Sequence, residues 1–248
     1  MRMSLGTVML VGGLLLFPVL AWAVSPEFPV TVKGAAAACT YYPGDCTDDS
    51  GKREAAGVVH LPLGPLDNSD DPRSRATIQG SLSASYGFLE VEGMATAWTR
   101  ERNGEPGEEF ARGIANGTLT WVDRLTVVSE TLPAGTPVRI RAHLRWQYEN
   151  RTRGGHFEAG TSVTGADRFS LLASEKDGQA GPVVDKSAEF SAVVGESVDL
   201  RGSMKFVAQA IASGLRAHEL RFRAFGEVRF ESLTPGATFR AASGAVYR

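Results

Sequence analysis

The chain has 248 residues, 26 lysines and arginines against 28 aspartates and glutamates, and a formal net charge of −2. No block of like charge stands out, so the balance gives no basis for nucleic acid or an anionic membrane as partner. Only two cysteines and four histidines are present, which argues against a disulfide-dense miniprotein or a multi-ligand zinc domain.

The elements follow in chain order. Arg2 precedes the uncharged run Val8–Ala23, which ends in Ala21-Trp22-Ala23 after Pro18. A basic start, an apolar stretch and small residues before the cut are the marks of a signal peptide, so residues 1–23 are expected to be removed. The run is shorter than the ~20 apolar residues a membrane span needs, and the mature chain is expected to have no span. Neither a lipid-modified cysteine nor a twin-arginine pair lies near the cut.

Residues 24–75 are rich in turn formers and are expected to form an irregular N-terminal segment. Cys39 and Cys46 are predicted to pair there, because close cysteines in an exported chain favour a disulfide over a metal pair without histidine neighbours. Asp45, Asp48 and Asp49, and then Asp67, Asn68, Ser69, Asp70 and Asp71, offer hard oxygen atoms. They lack the ligand spacing of a calcium loop, so calcium stays an alternative to a solvated turn and no cofactor is expected.

From residue 76 to 248 the chain alternates with period two. In "VRIRAHLRWQY", Val138, Ile140, Ala142, Leu144, Trp146 and Tyr148 share one face, and Arg139, Arg141, His143 and Arg145 share the other. "VDLRGSMKFVAQA" and "LRFRAFGEVRF" repeat the pattern, with Gly226 marking a bulge or a close approach. Further strands are expected at 76–86, 88–98, 119–128, 168–173, 188–194 and 237–242. Turn signals separate most of them: Asn103-Gly104, Pro106-Gly107, Pro133-Ala134-Gly135, Gly154-Gly155, Asp177-Gly178, Ser213-Gly214 and Pro235-Gly236. No window has a helical period with caps. About nine strands and frequent glycine point to an all-β protein, an antiparallel β-sandwich of jelly-roll type filling residues 76–248.

The stretches "ATIQGSLSASYGFLEV", "TLTWVDRLTVVSETLPAGTPVRIRAHL", "AVVGESVDL" and "FESLTPGATFRAASGAVYR" together resemble a class of exported bacterial β-sandwich proteins. Many of that class carry a C-terminal Pro-Glu-Pro (PEP-CTERM) sorting signal. The resemblance implies a secreted or surface protein of a Gram-negative bacterium and brings no catalytic residue. The sequence departs from it after Tyr247, where only Arg248 follows. Free secretion or a periplasmic home is therefore the expectation, with 237–242 as the final strand.

Chemistry is sparse. His143, His156, Glu149 and Glu158 form a metal or acid–base cluster only if the fold gathers them; otherwise they are ordinary surface residues. Asn116 and Asn150 stand in glycosylation sequons, which matter only in a eukaryotic secretory path. No nucleophile elbow, zinc-protease helix or phosphate loop is found. Arg139, Arg141 and Arg145 on one strand, and Arg221, Arg223 and Arg229 on another, would form a bidentate donor surface for an acidic polysaccharide if the strands were neighbours. Glu219, Glu227 and Glu231 on the same face would instead neutralise them. Two readings follow. The first is a non-catalytic exported module that binds polysaccharide or serves as a matrix protein. The second is a carbohydrate-active enzyme using Glu90 and Glu92, which share one strand face.

Overall fold

The computed structural model describes residues 28–40, 46–68, 74–100, 110–177, 181, 183–213 and 216–247. The expected leader 1–23 lies outside them, as do Asp45, Ser69, Asp70 and Asp71. Thirteen strands and no helix are found among the described residues. They are β1 (Val30–Thr40), β2 (Cys46–Ala55), β3 (Val59–Asn68), β4 (Ser74–Ser85), β5 (Phe88–Thr99), β6 (Phe110–Ser129) and β7 (Pro137–Arg153). Then come β8 (Gly155–Gly165), β9 (Phe169–Lys176), β10 (Val184–Val193), β11 (Ser197–Ser213), β12 (Arg216–Ser232) and β13 (Ala237–Ala241).

Two antiparallel sheets pack into a sandwich. Sheet A runs β2-β1-β6-β11-β8-β9, with β13 also on β6; sheet B runs β10-β7-β12-β5-β4-β3. From β5 to β8, and again from β9 to β13, successive strands alternate between the sheets, so most hairpin-like steps in sequence cross the sandwich. The alternating residues supply the reason. Along β11 and β7 every second side chain is buried, and these inner faces meet as one hydrophobic core. Tyr148 stacks on Phe157 at 4.8 Å, Phe157 on Phe222 at 5.0 Å, and Phe222 on Phe206 at 6.3 Å, an aromatic column that crosses from sheet to sheet.

One expectation is corrected and one open alternative is decided. Residues 30–40, 46–55 and 59–68 are not an irregular overlay but strands β1, β2 and β3, integral to both sheets. Small residues hid them: β1 reads "VTVKGAAAACT", whose buried Ala36 and Ala38 give weak hydrophobic contrast against Ala35 and Ala37. The sandwich therefore begins well before residue 76. At Gly226 the pairing runs through without a register shift, and the glycine marks a close approach: a Cβ there would sit 3.0 Å from Thr161 Oγ1 in the other sheet.

Cys39 and Cys46 form the expected disulfide, facing each other at the end of the β1–β2 ladder. The stretch "FVAQAIA" continues β11 as a strand, and 237–241 is the final strand, as its alternation predicts.

Rows of glycine let large side chains reach across. Gly80 and Gly93 face each other on β4 and β5, on the inward parity. A Cβ on Gly93 would lie 2.5 Å from Phe222 Cζ and 2.6 Å from the Gln79 carbonyl oxygen. In sheet A, Gly51, Gly34 and Gly117 align in the same way, beneath Leu61, Leu82 and Phe206. Both sheets dip above these rows.

One buried charge closes the structure. Asp123, fully buried, sits on β6 between the part paired with β1, which ends at Trp121, and the part paired with β13, which starts at Leu125. Its Oδ1 accepts the Arg124 N–H at 2.8 Å and the Ser243 N–H at 3.1 Å. Its Oδ2 accepts the Ser243 hydroxyl at 2.5 Å and the Tyr247 hydroxyl at 2.7 Å.

Candidate functional site

The outer face of sheet B collects most residues singled out by sequence. β7 and β12 are neighbours, with Arg145 opposite Glu227, His143 opposite Arg229 and Arg141 opposite Glu231. Directly opposed residues project to the same side, so both arginine triads share this face. Each guanidinium, however, has a carboxylate partner. Glu189 of β10 takes Arg139 and Arg141, each at 2.7 Å, and Glu231 adds a second contact to Arg141 at 3.4 Å. Glu227 lies 3.7 Å from Arg145 and 3.1 Å from Arg229. Glu219 holds Arg221 at 2.8 Å, and Glu90 holds Arg223 at 2.6 Å. The hydrogen bonds from Arg141 and Arg139 hold the Glu189 carboxyl below its ordinary range. The face is a lattice of alternating charges in which six guanidinium groups share five carboxylates, so every arginine has an acidic neighbour.

Glu90 and Glu92 do share one side of β5. Glu90 Oε1 accepts both Nε and Nη2 of Arg223, at 2.8 and 2.6 Å, while Glu92 accepts the Ser81 hydroxyl at 3.4 Å. The two carboxylates thus face different partners, one a cation and one a hydroxyl.

Within this polar face stands an aromatic island. Phe225 of β12 lies on the same parity as the arginines, opposite Glu90, and Phe88 of β5 stacks against it at 6.2 Å. The guanidinium groups of Arg145 and Arg223 lie 5.9 and 5.7 Å from the Phe225 ring centre. Both phenylalanines are half-buried rather than enclosed. Next to Arg223, above the Gly80–Gly93 pair, the sheet dips into a concavity of about 520 Å³ lined by Gln79, Ser81, Glu92, Met94 and Arg223, with Pro65 at its rim. Alternation alone does not single out the aromatic island, because charged residues dominate the same outward parity. Its signal was there: a phenylalanine on the wet parity of "LRFRAFGEVRF" and another on that of "FLEVEG".

The remaining candidates are dispersed. His143 lies on the outer face of sheet B, 3.5 Å from Glu231, whereas His156 lies on the outer face of sheet A, bonded to Asp177 at 2.6 Å. Glu149 and Glu158 are divided in the same way, so the sandwich separates that quartet. Among the described residues no group of three or more potential metal ligands comes together. Asp48 and Asp49 are exposed on β2, and Asp67 is exposed on β3. Asn68 is buried and donates to the Ala38 carbonyl at 3.4 Å, so it ties β3 to β1. Asn150 is buried too, whereas Asn116 is exposed. No helix among the described residues is long and apolar enough to cross a membrane.

No protein-family model and no curated protein matches the sequence. Among solved structures the chain is similar to TmCBM61 in complex with β-1,4-galactotriose, at 12% identity and a TM-score of 0.22, over 63% of this chain and 87% of that one. It is also similar to the infectious bursal disease virus VP2 subviral particle, at 10% identity and a TM-score of 0.13, over 84% of this chain and 64% of that one. The strand topology establishes the architecture alone: an all-β, antiparallel sandwich with a disulfide near its N-terminal end.

Proposed function

We propose that the protein is a secreted, non-catalytic module that binds extracellular polysaccharide on the outer face of sheet B. The observation that carries this reading is the Phe88–Phe225 pair beside the concavity at Arg223. A pyranose ring is apolar on its C–H faces and polar around its rim. An aromatic ring ringed by guanidinium, carboxylate and amide groups matches both surfaces. Because the arginines already have carboxylate partners, the face offers donors and acceptors in alternation and suits uncharged, hydroxyl-rich sugars. The disulfide is consistent with an oxidising compartment, whether extracellular or periplasmic.

The enzyme reading relied on Glu90 and Glu92. Glu90 is already tied by two hydrogen bonds to Arg223, which supports a positioning part for it in the sheet. A glycan array probed with the purified protein tests the proposal. Binding to uncharged glycans is expected, and Phe225→Ala is expected to weaken it roughly tenfold, the order of one lost aromatic stack. Retention of full binding by Phe225→Ala would move the site elsewhere. Degradation of an arrayed glycan, abolished by Glu92→Gln, would replace the module with an enzyme.

A further inference from the structure

The opposite face of the sandwich carries a different arrangement. The register of sheet A places Lys52 of β2, Lys33 of β1, Thr118 of β6 and Lys205 of β11 in one row across four adjacent strands. All three lysines are exposed on the outer side. Only Thr118 separates Lys33 from Lys205, so their backbones lie two strand spacings apart, ~10 Å. They line a trough of about 680 Å³ that takes in the polar side chains of Ser50, Asn116 and Thr118 together with the apolar Ala35 and Val207. Beyond Lys205 a second depression lies over β8 and β9, lined by Glu158, Gly160, Leu172 and Ser174.

Charge separates this face from sheet B. Lys52 bonds to Glu54 at 2.8 Å, but among the described residues Lys33 and Lys205 have no carboxylate within ion-pair distance. Two ammonium groups without a direct carboxylate contact, with a third beside them, make a local positive potential that Glu54 near Lys33 and Glu158 near Lys205 moderate, on a chain that is slightly acidic as a whole.

We infer that this trough binds an anionic polysaccharide, with its carboxylate or sulfate groups over Lys33 and Lys205 and its hydroxyls against Ser50, Asn116 and Thr118. The spacing of the lysines is close to the repeat of an extended disaccharide, so charges on alternate sugars meet successive ammonium groups. The floor selects the class of polymer. No exposed aromatic ring lines the trough for a nucleobase to stack on. Three cations also fall short of the ~6–10 phosphate contacts of a firm nucleic-acid site. Lysine, a point charge on a flexible stem, accepts carboxylate and sulfate alike.

This site is independent of the aromatic island, and its test separates the two. Calorimetric titration of the purified protein with polygalacturonate, dextran sulfate and uncharged dextran, at low and physiological salt, measures it. At least one of the two polyanions is expected to bind, more weakly at the higher salt because exposed charges are screened over ~8–10 Å. The preferred polyanion identifies carboxylate or sulfate as the ligand group. Lys33→Gln/Lys205→Gln is expected to weaken that binding about tenfold, while thermal unfolding and uncharged-glycan binding stay unchanged. The inference is overturned if neither polyanion binds, or if the double variant binds like the parent. It is equally overturned if duplex DNA or anionic vesicles bind as tightly as the polysaccharides.

Discussion

Asp123 shows what a single residue controls. A buried carboxylate is costly unless hydrogen bonds replace its hydration, and four donors do so here, three of them from the last turn of the chain. Tyr247 responds in turn. Burial, and then the negative charge of Asp123, push its phenol far above the ordinary tyrosine range. The sign follows from linkage: a folded pKa above the unfolded value of ~10 stabilises fully below that pH and is lost as pH rises beyond it. Urea unfolding at a series of pH values is therefore expected to show stability falling above pH ~10. Tyr247→Phe is expected to make that alkaline limb shallower, leaving the part due to Tyr148 and Tyr86, whose phenols burial also raises, and to cost ~1–3 kcal/mol at neutral pH, since Asp123 Oδ2 loses a donor. An unchanged alkaline limb in the variant would assign it to another group. Asp123 was visible in the sequence as an acidic residue on the buried parity of "TLTWVDRLTVV", between Trp121 and Leu125. Its partners were not visible, because they come from more than a hundred residues away.

At the scale of elements, glycine placement decides how the sheets approach each other. The Gly80–Gly93 pair admits the Phe222 ring, and the concavity of the candidate site lies directly above. Gly93→Ala is expected to cost ~1–3 kcal/mol, because the added methyl meets both a packed ring and a backbone carbonyl. Chemical denaturation measures this directly, and a neutral result would mean that the sheets have slack at this point. The long alternating strands β7, β11 and β12 were legible from period alone, since apolar residues contrast with charged or polar ones along most of their length. β8, "GHFEAGTSVTG", was not, because glycine, serine and threonine mute the contrast between its faces. β1 and β2 were missed for a related reason. Alanine dominates the first, and the second is an edge strand exposed along nearly its whole length, so it needs no hydrophobic side. The arginine face was legible residue by residue, but its neutralisation depended on Glu189 and Glu90, which reach it only through strand order.

The whole molecule is organised around β6, which pairs β11 along one edge and both β1 and β13 along the other. On that second edge, Val122 donates its N–H to the Pro29 carbonyl at 3.3 Å, and Ala242 donates to the Arg124 carbonyl at 2.8 Å. The first and last strands therefore leave β6 two residues apart, ~7 Å along a strand. Such a chain is close to circular. A short linker from Phe28 to Tyr247, with new ends cut in the exposed Pro133–Gly135 turn, would leave every strand pairing intact. Circular dichroism of that permutant is expected to match the parent, and loss of the sheet signal would show that the native ends direct assembly. A pull applied at Phe28 and Tyr247 would therefore load the pairs of β1 and β13 with β6 before any other pairing.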